Sequence, residues 1–280
     1  MTATLIRSFD LSRNRYGITK VEDKIYIIDN HKIQKHPNVI QVYEDRLGFR
    51  FTRNITISDT NWPNDIVYSN ESKCVYISDY HEKCIWVMTT TGVHRLTKWL
   101  HNVTAPNTLS LTKEGHLLVL RQSQSISQDS LEIYSLNATL IRKLSLPQDI
   151  KDSRHVVQTL TGNFIVIHRL NNATHGTFVI SMLTTDGMLI HRFIPRNQSE
   201  TLNNDEHYLS LDPDNSRLFV ADYDNQRVIL FDSNVLTWSQ VLVSNAVNGI
   251  RDPFRLFYDA NKKHLFVAQY GASIIEYDIN

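Results

Sequence analysis

The chain has 280 residues, of which 41% are hydrophobic and 21% are charged, so it is long enough to build one large buried core. Lysine plus arginine equals aspartate plus glutamate, at 29 each, so the net charge gives no sign of a nucleic-acid or acidic-membrane partner. No apolar run approaches the roughly 18–20 residues that span a bilayer, and we expect a soluble chain without membrane insertion.

A short apolar strand that ends in a polar residue recurs along the chain at intervals of roughly 40–55 residues. A turn and another apolar run precede each copy, as at 209–215, and a third and a fourth strand follow, as at 228–231 and 188–193. Strands this short, β-branched and aromatic favour an all-β fold, and the interval is typical of four-stranded propeller blades. The six copies are 25–29, 75–79, 117–121, 164–168, 218–222 and 265–269.

The sequence Thr-Leu-Ile-Arg occurs at 4–7 and again at 139–142. The second copy is the last strand of a unit, whereas no unit precedes the first copy, and residues 251–280 read as a unit that lacks its last strand. One blade cannot bury both faces of its sheet, so neighbouring blades stack and ring closure protects the edges. We therefore predict an all-β, six-bladed β-propeller of four-stranded antiparallel blades, closed by the N-terminal strand completing the C-terminal blade. Residues 1–280 form a single domain, with blades at about 14–60, 61–103, 104–150, 151–203, 204–249 and 250–280 plus the closing strand at 3–11.

Residues 218–231, with the sequence LFVADYDNQRVILF, resemble the hallmark of the NHL-repeat family. Blade 2 carries a looser copy at 75–80 and 85–88, and the other blades keep the hydrophobic pattern alone. The resemblance implies an NHL-repeat six-bladed propeller. We expect Asp222 to accept hydrogen bonds within its hairpin turn and Asn225 to adopt a left-handed turn conformation, which are structural roles.

The two cysteines, Cys74 and Cys84, lie on neighbouring predicted strands of blade 2. Cys84 is expected near the turn and Cys74 opposite residues near Thr90. At about 3.3 Å per residue, this separation exceeds the Cα distance of about 7 Å that a disulfide tolerates. We expect both cysteines to be reduced.

The compartment stays open at this point. The predicted closing strand occupies the N-terminus, so it cannot also be a cleaved signal peptide, which favours the cytoplasm. N-glycosylation sequons favour an extracellular location, although about three or four are expected by chance in a chain so rich in Asn, Ser and Thr. The sequons begin at residues 54, 70, 102, 137, 172 and 197.

The channel mouth is where we expect any ligand to bind. In a four-stranded blade the innermost strand begins, and the second strand ends, on the same face of the disk, and polar residues occupy these positions around the ring. The ligand-binding candidates are Arg15, Tyr16, Asp65, Asn107, Arg121, Arg154, Glu206, Tyr208 and Arg255.

Three histidines of adjacent blades, His155, His168 and His207, also fall on this face. Three imidazoles could hold zinc with water as a fourth ligand, and the peptidyl-hydroxyglycine amidating lyase is similar in using channel histidines around zinc. The flanking residues here do not match that lyase, and the alternative is that the histidines are hydrogen-bonded strand ends. A gluconolactonase-like calcium site could use oxygen atoms of Asp65, Asp79, Asn107 and Glu206. We expect no cofactor, with zinc or calcium as the alternative.

The function predicted is a non-catalytic recognition or scaffold module that binds a protein or peptide on the channel face. No Gly-x-Ser-x-Gly, phosphate-binding glycine loop or His-Glu-x-x-His motif is present. Residues 195–205 are a candidate contact loop, and Trp62, Tyr80, His81, Tyr223 and Tyr270 are candidate interface anchors.

Two alternatives remain. One is a metal-dependent hydrolase or lyase at the channel mouth. The other is an RNA-binding NHL domain, in which Arg15, Arg121, Arg154 and Arg255 would contact phosphates beside possible stacking groups Tyr16, Tyr208 and Phe254. Acidic residues on the same face oppose RNA binding.

Overall fold

Period-two alternation directs successive side chains of each strand to opposite sides of its sheet, so each blade presents one apolar surface to each neighbouring blade. The computed structural model describes residues 1–10, 15–29, 37–45, 49–92, 94–123, 128–170, 178–195, 200–202, 207–212, 214, 216–270 and 273–280, with the backbone alone at 10, 15 and 16. These residues form six separate four-stranded antiparallel sheets arranged as a six-bladed propeller.

In each of the first three blades the strands follow one another from the channel outward. Blade 1 contains β2 (Arg15–Val21), β3 (Lys24–Asp29), β4 (Val39–Glu44) and β5 (Arg50–Thr56). Blade 2 contains β6 (Pro63–Ser69), β7 (Cys74–Asp79), β8 (Cys84–Thr89) and β9 (Leu96–Leu100). Blade 3 contains β10 (Pro106–Leu111), β11 (Leu117–Arg121), β12 (Ser130–Tyr134) and β13 (Leu140–Ser145).

The other three blades have the same order of strands. Blade 4 contains β14 (Ile150–Gln158), β15 (Phe164–Leu170), β16 (Phe178–Leu183) and β17 (Leu189–Phe193). Blade 5 contains β18 (His207–Asp212), β19 (Arg217–Asp222), β20 (Arg227–Asp232) and β21 (Thr237–Ser244), and the one-turn helix α1 (Asn245–Asn248) follows it. Blade 6 contains β22 (Pro253–Asp259), β23 (His264–Gln269), β24 (Ser273–Ile279) and β1 (Ala3–Asp10).

The N-terminal strand closes the ring, as predicted. β1 pairs antiparallel with β24 from Ala3 opposite Ile279 to Asp10 opposite Ser273. The backbone N–H of Thr2 donates to the carbonyl of Asn280 at 3.0 Å. The two ends of the chain therefore share one blade.

We name the two faces of the disk by their turns. The upper face carries the turns between second and third strands, such as 80–83 and 223–226, and the lower face carries those between first and second strands, such as 70–73 and 160–162. The second strands are the most deeply buried, as in β3, where Ile25, Ile27 and Ile28 are fully buried. The apolar core consists of layers of side chains between neighbouring blades. These layers are arranged around the central channel.

The hairpin turn of blade 5 corrects one prediction. Gln226, with φ of 50°, is the left-handed residue, and Lys83 takes the same position in blade 2 with φ of 51°. The predicted left-handed residue, Asn225, instead donates from Nδ2 to both carboxylate oxygens of Asp222, at 3.0 and 2.9 Å. The expectation that Asp222 accepts hydrogen bonds within this turn is confirmed. The role of Asn225 in the turn is therefore a side-chain hydrogen bond to Asp222, and the left-handed backbone conformation belongs to the next residue, Gln226.

Both cysteines are free, as predicted. Cys74 pairs with Thr89 across the β7–β8 hairpin, whereas Cys84 pairs with Asp79 next to the turn. Burial raises the pKa of the Cys84 thiol to about 12, so this group stays protonated.

An ionic network joins blade 6 to blade 1, next to the closing strand. Arg7 of β1 forms ion pairs with Glu276 of β24 and with Asp45, which directly follows β4. The Asp45 carboxylate is fully buried and also binds Lys20 at 3.1 Å and Lys262 at 2.6 Å. Burial alone would raise the pKa of Asp45, but the hydrogen bonds from Lys262 and Lys20 outweigh it and lower that pKa.

Candidate functional site: the channel ring and the upper face

Each innermost strand places one residue at the same level of the channel. That residue pairs with the residue just before the polar strand end on which the repeats align. A β-bulge lies at the residue just before this channel residue in β2, β6, β10 and β22. Such a bulge changes the direction of the side chain that follows it. We call these six residues the channel ring: Gly17, Asp65, Thr108, His155, Tyr208 and Arg255.

Two members of the channel ring meet across the channel. Blades 2 and 5 lie opposite each other, and the Tyr208 hydroxyl of blade 5 lies 2.9 Å from each carboxylate oxygen of Asp65 in blade 2. Asp65 also accepts the backbone N–H groups of Ile66 and Leu109, both at 2.9 Å. The Tyr208 side chain therefore closes the channel at this level.

The same ring level contains a histidine and an arginine that contact Tyr208. The His155 imidazole stacks on the Tyr208 ring, with centroids 3.7 Å apart, and the Arg255 guanidinium carbon lies 4.8 Å from the centroid of that ring. Asp65, His155, Tyr208 and Arg255 are all at least nine-tenths buried. The four side chains therefore form one buried polar cluster.

Burial sets the protonation of this cluster. It raises the pKa of Asp65 to about 6, although Arg255 and three hydrogen bonds act in the opposite direction. It lowers the pKa of His155 to about 3, with a further lowering from Arg255, so the imidazole is neutral. It also raises the pKa of Tyr208 well above its ordinary value, and Asp65 adds to that effect.

Gly17 is required for the close approach of blades 1 and 2. A Cβ atom at this position would lie 2.7 Å from Cγ2 of Ile66 and 3.0 Å from its backbone nitrogen. The residue was not among the candidates derived from the sequence. An isolated glycine inside a strand was the available signal, because it indicates a close backbone approach.

Other predicted site residues lie around the cluster without joining it. Asn107 accepts a hydrogen bond from Nδ2 of Asn64 at 2.6 Å, which links the bulges of blades 3 and 2. Arg121 forms an ion pair with Glu132, and Arg154 pairs with Asp152 at 3.1 Å. Arg15 and Tyr16 belong to β2, but their side chains lie outside the described part of the structure, as does all of Glu206.

The three histidines proposed as zinc ligands have separate environments. His168 bonds to Oγ of Ser181 at 2.8 Å through Nε2, and His207 bonds to the carbonyl of Ala221 at 3.1 Å through Nδ1. Burial lowers the pKa of His168 to about 4 and also lowers the pKa of His207. Among the described residues, no group of three or more His, Cys, Asp or Glu side chains is placed to hold a metal ion. The zinc and calcium sites stay predictions.

An aromatic group stands on the upper face of blade 2. The rings of Trp62 and His81 stack with centroids 4.6 Å apart and an interplanar angle of 7°, and Tyr80 lies 6.5 Å from Trp62. The buried Asp79 carboxylate fixes both loops by accepting the backbone N–H groups of Trp62 at 3.0 Å and of Glu82 at 3.1 Å. His81 is exposed and the other two rings are half-buried. We call Trp62, Tyr80 and His81 the blade-2 aromatic group.

A second aromatic group stands on the opposite side of the channel mouth, on blades 5 and 6. The Tyr270 ring lies 6.0 Å from both Tyr223 and Phe254, and its exposed fraction is 44%. We call Tyr223, Phe254 and Tyr270 the blade-5/6 aromatic group. Most of the predicted contact loop at 195–205 lies outside the described residues.

Comparisons with known proteins show the fold of the chain. No protein-family model and no curated protein sequence matches it. Among solved structures, a chain of hydrazine synthase from Kuenenia stuttgartiensis is similar with a TM-score of 0.65 and 15% identity, covering 92% of this chain and 81% of that one. Virginiamycin B lyase from Staphylococcus aureus has a TM-score of 0.64 and 11% identity, covering 98% and 99%. A chain of a nidogen/laminin complex has a TM-score of 0.59 and 15% identity, covering 94% and 86%.

These similarities establish a six-bladed β-propeller. At 11% to 15% sequence identity, these similarities show the fold but do not indicate the chemistry of the site. Within the described ranges, no helix is both long enough and apolar enough to cross a membrane.

Proposed function

We propose that this propeller is a non-catalytic recognition module that binds a protein or peptide partner on its upper face. The observation that carries the proposal is the placement of the two aromatic groups on opposite sides of a closed channel mouth. Aromatic side chains with an exposed edge supply large contact area at low entropic cost, and they dominate the energetics of many interfaces. A peptide lying across the channel mouth would contact both groups.

The blade-2 aromatic group is suited to this role because it is held in place before a partner arrives. Asp79 joins the loop at 61–62 to the turn at 80–83 through three backbone N–H groups. Rings fixed in this way lose little conformational freedom on binding, which favours affinity. The NHL-like motif at 218–231, where Asp222 organises the equivalent turn of blade 5, supports an NHL-type recognition domain, and the nidogen/laminin neighbour supports protein binding by fold analogy.

The two alternative functions have weaker support. The metal-dependent hydrolase or lyase alternative is supported by fold likeness at 11% to 14% identity, and the described side chains of the channel ring are buried. RNA binding would need arginines facing solvent. Arg121 is paired with Glu132, Arg154 with Asp152, and Arg255 is buried against Tyr208.

The proposal can be tested with a displayed library of random peptides selected on the wild-type protein. The selected peptides are then titrated against Trp62→Ala and Tyr270→Ala. Each substitution removes one anchor, and we expect affinity to fall by about tenfold or more in both variants.

Leu160→Ala provides the matched control. Leu160 lies on the lower face with an exposed fraction of 58%, so its truncation should leave peptide affinity unchanged. Thermal unfolding of each variant confirms that it is folded. Peptides that bind both aromatic variants as tightly as wild type would disprove the proposal.

A further inference from the structure

The lower half of the channel is a separate compartment below the channel ring. Six innermost strands surround it, and the Tyr208–Asp65 contact closes its upper end. Its volume is about 390 Å³, within the usual range for small-molecule sites of about 300–1,000 Å³. We call this compartment the lower funnel.

The wall of the lower funnel is aliphatic next to the ring, where Ile18, Leu109 and Leu256 contribute side chains. One step further down, each blade contributes one residue, and hydroxyl groups occur in blades 1, 3 and 5. These six wall residues are Thr19, Val67, Ser110, Val157, Ser210 and Phe257.

Each wall hydroxyl is already bonded to the next blade. Oγ1 of Thr19 accepts the N–H of Tyr68 at 3.2 Å, and Oγ of Ser210 accepts the N–H of Tyr258 at 3.0 Å. Oγ of Ser110 donates to the carbonyl of Val156 at 2.9 Å. Because these bonds tie the blades together in pairs, the wall is preformed, and a ligand would meet mainly apolar surface.

The two ends of the funnel differ in their ionisable side chains. At the mouth, Lys20 is paired with Asp259 and lies 3.1 Å from Asp45. At the floor, burial lowers the pKa of His155 to about 3, so the imidazole next to Tyr208 is uncharged. The two side chains that line the floor, His155 and Tyr208, are therefore both uncharged at neutral pH.

We propose that the lower funnel binds a small, uncharged, apolar molecule with its inner end against Tyr208 and His155. A preformed, mainly apolar pocket whose wall hydroxyls are bonded to the neighbouring blades favours binding by shape and apolar contact. The proposal is independent of partner binding, because the channel ring separates this compartment from the upper face.

Fluorescence titration with N-phenyl-1-naphthylamine, an uncharged apolar probe, tests the proposal. Wild type should bind one probe per chain with Kd below about 100 μM. Val67 is half-buried in the wall, and Val67→Trp fills the funnel, so we expect the affinity to weaken by about tenfold or more. Leu160→Trp adds the same indole to the lower face outside the funnel and should bind the probe like wild type.

Each outcome decides the matter. No saturable signal in wild type at about 100 μM probe would overturn the proposal. Binding of the probe to folded Val67→Trp with wild-type affinity would also overturn the proposal. The probe would then bind to exposed apolar side chains of the outer strands, such as Leu140 and Ile190. If thermal unfolding shows that Val67→Trp does not fold, Val67→Phe replaces it under the same criterion.

Discussion

Asp65 is the residue in which burial and hydrogen bonding act most clearly against each other. Its pKa is raised from 3.8 to about 6 in the folded chain, so folding favours the protonated carboxyl group. Its contribution to stability is therefore complete below about pH 4 and is lost as the pH rises through about 6. The corresponding loss is of the order of 3 kcal/mol.

Asp65→Asn tests this effect, because the amide has nearly the same shape but does not titrate. We expect the unfolding free energy of the variant to fall less than that of wild type between about pH 4 and about pH 7, by an amount of the order of 3 kcal/mol. Urea unfolding at both pH values measures the difference. Hydrogen bonds lost equally at both pH values cancel from the comparison.

The exposed Asp59 supplies the control for Asp65. Asp59→Asn should leave the pH dependence of wild type unchanged. If Asp65→Asn also retains it, the carboxyl group of Asp65 titrates normally and the assignment of its environment is wrong.

At the scale of elements, the closing strand is held by more than its backbone pairing with β24. Arg7 connects β1 to Asp45 at the end of blade 1, and Lys20 and Lys262 complete the shell of that buried carboxylate. Removing the Asp45 carboxylate takes a buried partner from three cations at once, although Arg7 keeps Glu276 and Lys20 keeps Asp259, and this is more costly than losing an exposed pair. Ion pairs to the buried Asp45 carboxylate therefore help to hold blade 6 against blade 1.

Asp45→Ala should lower the unfolding free energy by about 2–3 kcal/mol and speed proteolysis within residues 1–10. The matched change is Asp186→Ala, which breaks the exposed pair between Arg142 and Asp186 and should cost about 0–1 kcal/mol. Urea unfolding and timed proteolysis measure the two effects. Equal losses in the two variants would mean that the seam contributes no more than a surface ion pair.

For the molecule as a whole, the sequence predicts those features of the propeller that depend on local sequence pattern. The apolar strands with polar ends locate the second strand of every blade, and the Thr-Leu-Ile-Arg repeat locates the closing strand β1. The channel-mouth candidates included Asp65, Tyr208 and Arg255, which the structure brings together with His155 in one cluster.

What the sequence could not predict depends on distances between blades. The Tyr208–Asp65 contact spans 143 residues of chain, and it depends on the bulge in β6 that aims Asp65 at the opposite blade. Burial of the cluster follows from that contact, so the sequence placed polar candidates around the channel mouth without predicting that they close it. The roles of Thr19, Ser110 and Ser210 were missed for the same reason, since their partners belong to neighbouring blades.

Closure of the channel separates the upper face from the lower funnel, and the proposed function claims that a partner binds the upper face. Hydrogen–deuterium exchange of the protein with and without a selected peptide tests this most directly. We predict protection at residues 61–62, 80–83, 223–226 and 270, with no change at the lower turns 70–73 and 160–162. Protection confined to the lower turns or to the outermost strands would contradict the claim.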